Sequence, residues 1–302
     1  MKKNRAPADV ATEEELERIK RAAIVAMFSD DELMDLLVLK GGNAMDIIHQ
    51  ANARASVDLD FSVEDDFDDQ AAQPKIERAI KTTFAQHKYH AFEVKMIKKP
   101  KKPDEMPEDL ASFWGGYLVE FKLITQKRAN EVEHDPETMR REAIRLGEGT
   151  RFTIDISRHE YIADKEEYEL DGYVIYAYPP DMIVSEKLRA ICQQMPEYAG
   201  IIQRNGLGNQ RARDFLDIEV LVRRFNIDLA TERVRAMVEQ MFAAKRVPLE
   251  LLGKIGQTRD FHAQGYEAVR ATMKPGVEVK PFDDYFDFVV DACRGLEPLW
   301  NV

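Results

Sequence analysis

The double proline Pro179-Pro180 divides the chain into two parts with different hydrophobic patterns. Before it, short apolar or alternating runs predict β-strands, at residues 36–39, 57–63, 91–97, 117–124, 151–157 and 173–178. Helical spacing predicts helices at residues 12–28, 43–51 and 73–87. From Asp181 onward the pattern is helical almost throughout. The sequence therefore predicts an α+β fold, with a mixed-sheet domain at residues 1–178 and a helical domain at residues 179–302.

Composition excludes several classes of protein. The formal net charge of −12 argues against a general nucleic-acid coat, because phosphate binding needs clustered Lys and Arg. A lysine run between residues 95 and 102 is interpreted as a solvated loop rather than a basic patch. No run reaches the roughly 18 apolar residues of a membrane span, and the N-terminal sequence lacks a secretory pattern. The two cysteines, Cys192 and Cys293, have no ligand-like neighbours, so we expect a cytoplasmic protein without a zinc site.

An acidic pair, Asp58 and Asp60, lies on the predicted strand at residues 57–63. Side chains alternate between the faces of a strand, so both carboxylates should project to the same side. Such a pair suits Mg²⁺, which takes oxygen ligands and usually shares them with a substrate's phosphates. Taken alone, however, an Asp-x-Asp pair is more typical of a solvent-facing strand edge.

The position of the pair favours a site. Gly41 and Gly42 end the preceding strand at a turn into a short helix, where backbone N–H groups can approach a triphosphate. A third carboxylate, Asp155, lies on the polar face of the strand at residues 151–157. If that strand pairs beside residues 57–63, Asp155 could complete a three-carboxylate metal site. An ordinary surface aspartate is the equal alternative.

Two charged residues of the helical part fall on apolar helix faces. Lys187 lies between the directions of Ile183 and Ile191, and Asp214 lies within the buried arc of its own helix. A charge on an apolar face is costly unless it is paired or binds a ligand. The two residues could therefore serve a triphosphate or its acceptor, or they could form a salt bridge between the two helices.

In combination these segments resemble the AbiEii/AbiGii-type nucleotidyltransferase toxins, including the MenT-like toxins. The resemblance rests on LVLKGGNAM, ARASVDLDF, YLVEFKLI, FTIDIS, PPDMIVSEKLRAI and RARDFLDIEVL, which follow one another in the family's order. It implies a DNA polymerase β-like minimal nucleotidyltransferase domain followed by a helical bundle. It also implies an NTP substrate and Mg²⁺, for some relatives the 3′ end of tRNA as acceptor, and an antitoxin encoded nearby in a toxin–antitoxin or phage-defence operon.

The resemblance also assigns roles to individual residues. It implies that Asp58 and Asp60 are catalytic and bind the metal, and that Lys187 and Asp214 are catalytic; Asp155 is a candidate third metal ligand from its strand position alone. The implied nucleotide-binding residues are Lys40, Gly41, Gly42, Asn43, Arg54 and Ser56, and Arg213 matches a phosphate-contacting position. Asn43 is a departure, since relatives usually have threonine there.

Two other functions stay open at this stage. The same domain could transfer a nucleotide to a protein or a small molecule, or the chain could bind nucleotides without catalysis and act through protein contacts. Labelled NTPs offered with separated acceptor classes would distinguish the acceptors. Full toxicity of a variant lacking both Asp58 and Asp60 would favour the non-catalytic alternative.

Overall fold

A seven-stranded mixed sheet forms the first part of the molecule. The computed structural model describes residues 10–51, 58–100, 106–145, 149–274 and 276–301. The strands are β1 Val38–Lys40, β2 Leu59–Ser62, β3 Tyr89–Lys99, β4 Gly116–Thr125, β5 Phe152–Ser157, β6 Glu166–Leu170 and β7 Tyr173–Ala177. Their order is β3-β4-β5-β2-β1-β7-β6, and the pairs β2–β5 and β1–β7 are parallel. The strand that carries Asp60 therefore lies in the interior of the sheet.

Two long helices of this part pack against each other and against the sheet. Helix α1 (Glu13–Phe28) begins at Thr12, whose side chain accepts a hydrogen bond from the backbone N–H of Glu15. Its apolar face packs on α4 (Asp69–Gln86) and β7, while α4 also covers β3. The shorter helices are α2 Asp31–Leu36, α3 Gly41–Asn43, a π-helix at Ala44–Ile48, α5 Glu108–Ala111, α6 Gln126–Glu131 and α7 Pro136–Glu142.

The second part is helical. It comprises α8 Pro180–Cys192, α9 Pro196–Ile201, α10 Ala212–Phe225, α11 Glu232–Ala244, α12 Arg259–Ala263, α13 Tyr266–Arg270 and α14 Phe282–Cys293, with 3₁₀-helices at Leu249–Gln257 and Arg294–Leu299. Helix α8 lies at its centre and packs on α10 and α11. Because neighbours cover α8 on nearly every side, its charged residues Lys187 and Arg189 are buried.

The fold class predicted from the sequence, a mixed sheet followed by helices, is confirmed. The bounds of the first predicted strand were wrong: it begins two residues later, at Val38, because Leu36 closes α2, and it ends one residue later, at Lys40. The predicted helix at residues 43–51 begins earlier, at Gly41. Strand β6 was missed because its sequence, EEYEL, is mostly polar, as an edge strand allows.

The secondary structure changes character where the double proline predicted it, between the end of β7 at Ala177 and the start of α8 at Pro180. Buried side chains from both sides of this point belong to the same main hydrophobic core. The division into two domains at residue 178 stays a prediction. Across the described parts of the chain, no helix is long and apolar enough to cross a membrane.

Candidate active site

Three charged residues lie side by side on neighbouring strands. In the antiparallel pair β1–β2, Lys40 is opposite Asp60, and in the parallel pair β2–β5, Asp60 is opposite Asp155. Residues paired in this way project from the same face of a sheet. The strand of Asp155 thus pairs beside the acidic strand, which was the condition for a three-carboxylate site, and Lys40, Asp60 and Asp155 form one row.

The backbone of the glycine turn packs closely against the Asp60 side chain of this row. Gly41 has φ +69°, a left-handed conformation that favours glycine, and a Cβ built there would lie 2.7 Å from Oδ2 of Asp60. The backbone after β1 can therefore approach the Asp60 carboxylate only without a side chain at residue 41. The chain continues into Gly42 and Asn43, which are both buried.

Asn43 ties the turn to the acidic strand. Its side-chain amide donates a hydrogen bond to the backbone carbonyl of Asp58, just before β2, and its own Oδ1 is buried. The Asp58 side chain is exposed. Alternation along an extended chain places it on the same side as Asp60. Asn43 thus contacts the acidic pair through the backbone and fixes where β2 begins.

Burial and neighbouring carboxylates disfavour the ionised form of Asp60. The pKa of Asp60 is raised to about 6, first because the carboxyl group is removed from solvent. The carboxylates of Glu186, Asp155 and Asp58 raise this pKa further, and Lys40 opposes them. A cation beside Asp60 would relieve this repulsion, so the donor set suits a divalent metal ion.

Asp155 already has a cationic neighbour. The Lys99 ammonium lies 2.5 Å from Oδ2 of Asp155, and both side chains are partly exposed. Among the residues that the structure describes, no group of at least three His, Cys, Asp or Glu side chains is gathered closely enough to hold a metal ion. Asp58, Asp60 and Asp155 therefore share one region of the sheet but do not form a preassembled metal cluster.

Lys40 points away from solvent into a buried ion cluster. Its Nζ lies 3.2 Å from Oε1 of Glu160 and 3.9 Å from Oε1 of Glu186. Glu160 also pairs with Arg189 at 2.7 Å and with Lys245 at 3.6 Å. These cations hold the pKa of Glu160 well below its ordinary value although burial alone would raise it.

Lys187 and Asp214 meet in a second buried cluster. The Lys187 ammonium lies 3.1 Å from Oδ1 of Asp214 and 2.8 Å from Oδ2 of Asp217, and Nε of Arg211 lies 2.5 Å from the other oxygen of Asp214. The alternative that Lys187 and Asp214 form a salt bridge between two helices is therefore confirmed as a contact. Burial raises the pKa of Asp214, but Arg211 and Lys187 outweigh it and hold the carboxyl group ionised.

Glu186 lies between the two clusters. Its carboxylate is 3.9 Å from the Lys40 ammonium and 3.9 Å from the Arg189 guanidinium, and its charge raises the pKa of both Asp60 and Arg211. Because Glu186 and Lys187 are neighbours on α8, the same helix contributes a charged residue to each cluster.

Sequence reasoning located part of this arrangement. Arg54 and Ser56, two predicted nucleotide-binding residues, lie outside the described residues. Arg213 is exposed. Lys99 belongs to the lysine run that was interpreted as a solvated loop, but it ends β3 and pairs with Asp155. The charged residues that sequence reasoning missed are Glu160, Glu186, Arg189, Asp217 and Lys245. Helical spacing could have found Asp217, three residues after Asp214 on the same helix, but no local pattern marks Glu160.

Comparison with known proteins identifies the class. The family model described as nucleotidyl transferase AbiEii toxin of a type IV toxin–antitoxin system matches residues 22–288. Because this match covers most of the chain, the protein belongs to the AbiEii nucleotidyltransferase toxin family. It is therefore a nucleotidyltransferase, as the sequence predicted. No curated protein matches it by sequence.

Several solved structures are similar over most of their length. A Helicobacter pylori protein described as a candidate nucleotidyltransferase has 13% identity and a TM-score of 0.49, covering 96% of this chain and 97% of that one. JHP933 from Helicobacter pylori has 14% identity and a TM-score of 0.46, with coverages of 96% and 94%. MenT4, a nucleotidyltransferase toxin from Mycobacterium tuberculosis H37Rv, has 11% identity and a TM-score of 0.45, with coverages of 94% and 83%.

Proposed function

We propose that the protein is the toxin of a toxin–antitoxin pair and transfers a nucleotide from an NTP to an RNA hydroxyl such as the 3′ end of tRNA. The observation that supports this most is the row Lys40–Asp60–Asp155, with Gly41 packed against the Asp60 carboxylate. Such a turn lets a phosphate chain approach the carboxylates through backbone N–H groups alone. Cytoplasmic action, where NTPs and tRNA are available, belongs to the same proposal.

In this proposal Asp58 and Asp60 are the catalytic carboxylates, and with Asp155 they would hold Mg²⁺. The metal would supply positive charge to the triphosphate. The acceptor hydroxyl attacks the α-phosphorus and loses its proton to water, and the bond from the α-phosphorus to the bridging oxygen breaks, so that pyrophosphate leaves with that oxygen. Gly41, Gly42 and Asn43 border the triphosphate.

The two lysines have a different place in this mechanism from Arg54 and Ser56. Lys40 and Lys187 each contact buried carboxylates, so we propose that they contribute positive charge near the site without contacting the triphosphate. Asp214 keeps Lys187 in position. Arg54 and Ser56 stay candidates for direct triphosphate contact.

The test is transfer from each labelled NTP into total tRNA, with and without Mg²⁺. Asp58→Ala should abolish transfer, because it removes a carboxylate without touching the core. Asp35→Ala on α2 is the matched control, since this aspartate is also exposed but lies outside the site, and it should keep full activity. Transfer by Asp58→Ala at the wild-type rate would refute the proposed site.

Separate experiments test the acceptor and the antitoxin partner. Protein and small-molecule fractions, offered in place of tRNA, should accept little label; label entering one of them instead would replace RNA as the acceptor. Induced expression should arrest growth, the neighbouring gene should relieve the arrest, and the Asp58→Ala protein should not cause it. Arrest by the inactive variant would contradict toxicity through nucleotide transfer.

A further inference from the structure

Glu160 holds three cations that come from distant parts of the chain. Lys40 ends β1, Arg189 lies on α8, and Lys245 follows α11. The side chains of Glu160, Lys40, Arg189 and Lys245 are each less than a tenth exposed. Burying an ionised carboxylate is costly unless nearby charges and hydrogen bonds compensate it. This cluster therefore fixes the positions of its members.

Two of these cations, Arg189 and Lys245, also donate hydrogen bonds to backbone carbonyls. Arg189 donates to the backbone carbonyl of Met241, and Lys245 donates to the carbonyls of Phe113 and Arg158. The first bond joins α8 to α11, and the Lys245 bonds join the helical part to the loops beside the sheet. Arg189 and Lys245 therefore have structural roles that do not depend on the acidic row.

Lys40 differs from the other two cations because it belongs to the row itself. It is opposite Asp60 in the sheet, its charge favours the ionised form of Asp60, and Gly41 follows it directly. With Nζ held 3.2 Å from Glu160, the ammonium is buried and does not face solvent. A displaced Lys40 would shift both the charge beside Asp60 and the direction of the glycine turn.

We infer that Glu160 is a positioning residue for nucleotidyl transfer, acting through Lys40 to hold Asp60 and the Gly41 turn in their working geometry. This inference rests on the proposed active site. Kinetics distinguish this role from direct NTP binding. A lysine that binds the triphosphate contributes to the KM for NTP, whereas a buried lysine that positions Asp60 contributes to kcat.

The test is a double-mutant cycle of Glu160→Gln and Lys40→Met. Glu160→Gln should lower kcat about 10- to 100-fold, since a misplacement of roughly 1 Å can cost that much, with the KM for NTP within about twofold of wild type. In the Lys40→Met background, Glu160→Gln should lower kcat no further. Free energies of unfolding from urea titrations of all four proteins give a readout independent of catalysis.

Lys245→Met is the matched control. It removes a buried cation from the same Glu160 oxygen that Lys40 contacts, but from the helical side. It should lower the free energy of unfolding and leave kcat within about twofold of wild type. Should Glu160→Gln fail to fold, the same cycle is run in the Lys245→Met background, where the loss of one charge of each sign keeps the cluster balanced.

The possible outcomes decide between a positioning role and a purely structural one. Non-additive effects on kcat with unchanged KM support the inference. Additive effects on kcat, or coupling seen only in the free energy of unfolding, overturn it and leave Glu160 a structural residue. A large rise in the KM for NTP in Glu160→Gln also overturns it. No transfer by the wild-type protein would overturn the proposed function itself, and the positioning role with it.

Discussion

Replacing Gly41 with alanine would place a methyl group where the Asp60 carboxylate lies. The new Cβ would be 2.7 Å from Oδ2 of Asp60, whereas ordinary contact begins at 3.4 Å, so the carboxylate or the turn must move by about 0.7 Å. The positive φ of +69° adds a backbone cost of roughly 1–2 kcal/mol for any L side chain. A shift of this size in a reacting group costs on the order of 100-fold in rate.

We therefore expect Gly41→Ala to lower kcat for nucleotide transfer by about 100-fold. The free energy of unfolding should fall by roughly 1–3 kcal/mol, from backbone strain together with overpacking. Initial rates with labelled NTP and urea titrations measure the two quantities on the same preparation.

Substitutions at two other glycines separate the effect of backbone strain from that of the steric contact with Asp60. Gly172 also has a positive φ, +83°, but a Cβ there meets nothing within 4 Å, so Gly172→Ala should lose stability and keep its activity. Gly200 lies in α9 without positive φ and with open space around it, so Gly200→Ala should be neutral or slightly stabilising. Wild-type kcat in Gly41→Ala, or an equal loss in Gly172→Ala, would refute the reasoning.

Three further predictions concern single side chains. Asn43→Ala removes the hydrogen bond to the Asp58 carbonyl and should lower kcat about tenfold in the same assay, with threonine restoring part of it. Lys99→Met frees the Asp155 carboxylate, so the Mg²⁺ concentration for half-maximal transfer should fall about two- to fivefold; an unchanged requirement would contradict this competition. Burial lowers the pKa of His262 to about 4 from an ordinary 6.5, so the unfolded state takes up a proton first as the pH falls. The contribution of His262 to the free energy of unfolding, roughly 3 kcal/mol, is therefore complete above pH 6.5 and is lost as the pH falls towards 4. Urea titrations of His262→Gln across this pH range should lack this loss.

Local patterns determined much of the fold. The alternation FTIDIS predicted β5 and the face that carries Asp155, and the Thr12 cap predicted the start of α1. Periodicity also predicted that Lys187 and Asp214 are buried. These features depend on residues only a few positions apart, so the sequence is enough to read them.

The partners of the buried charges depended on the tertiary structure. Lys40 meets Glu160, which is 120 positions away, and Asp155 on β5 meets Lys99 at the end of β3, two strands away in the sheet. Such contacts follow from which strands become neighbours and in which register, and no local period encodes that choice. The sequence by itself identified the acidic pair and the glycine turn, whereas the tertiary structure decided that Lys40 faces inward. The physical reason is that a buried ammonium group needs a carboxylate partner, and the fold brings Glu160 to Lys40.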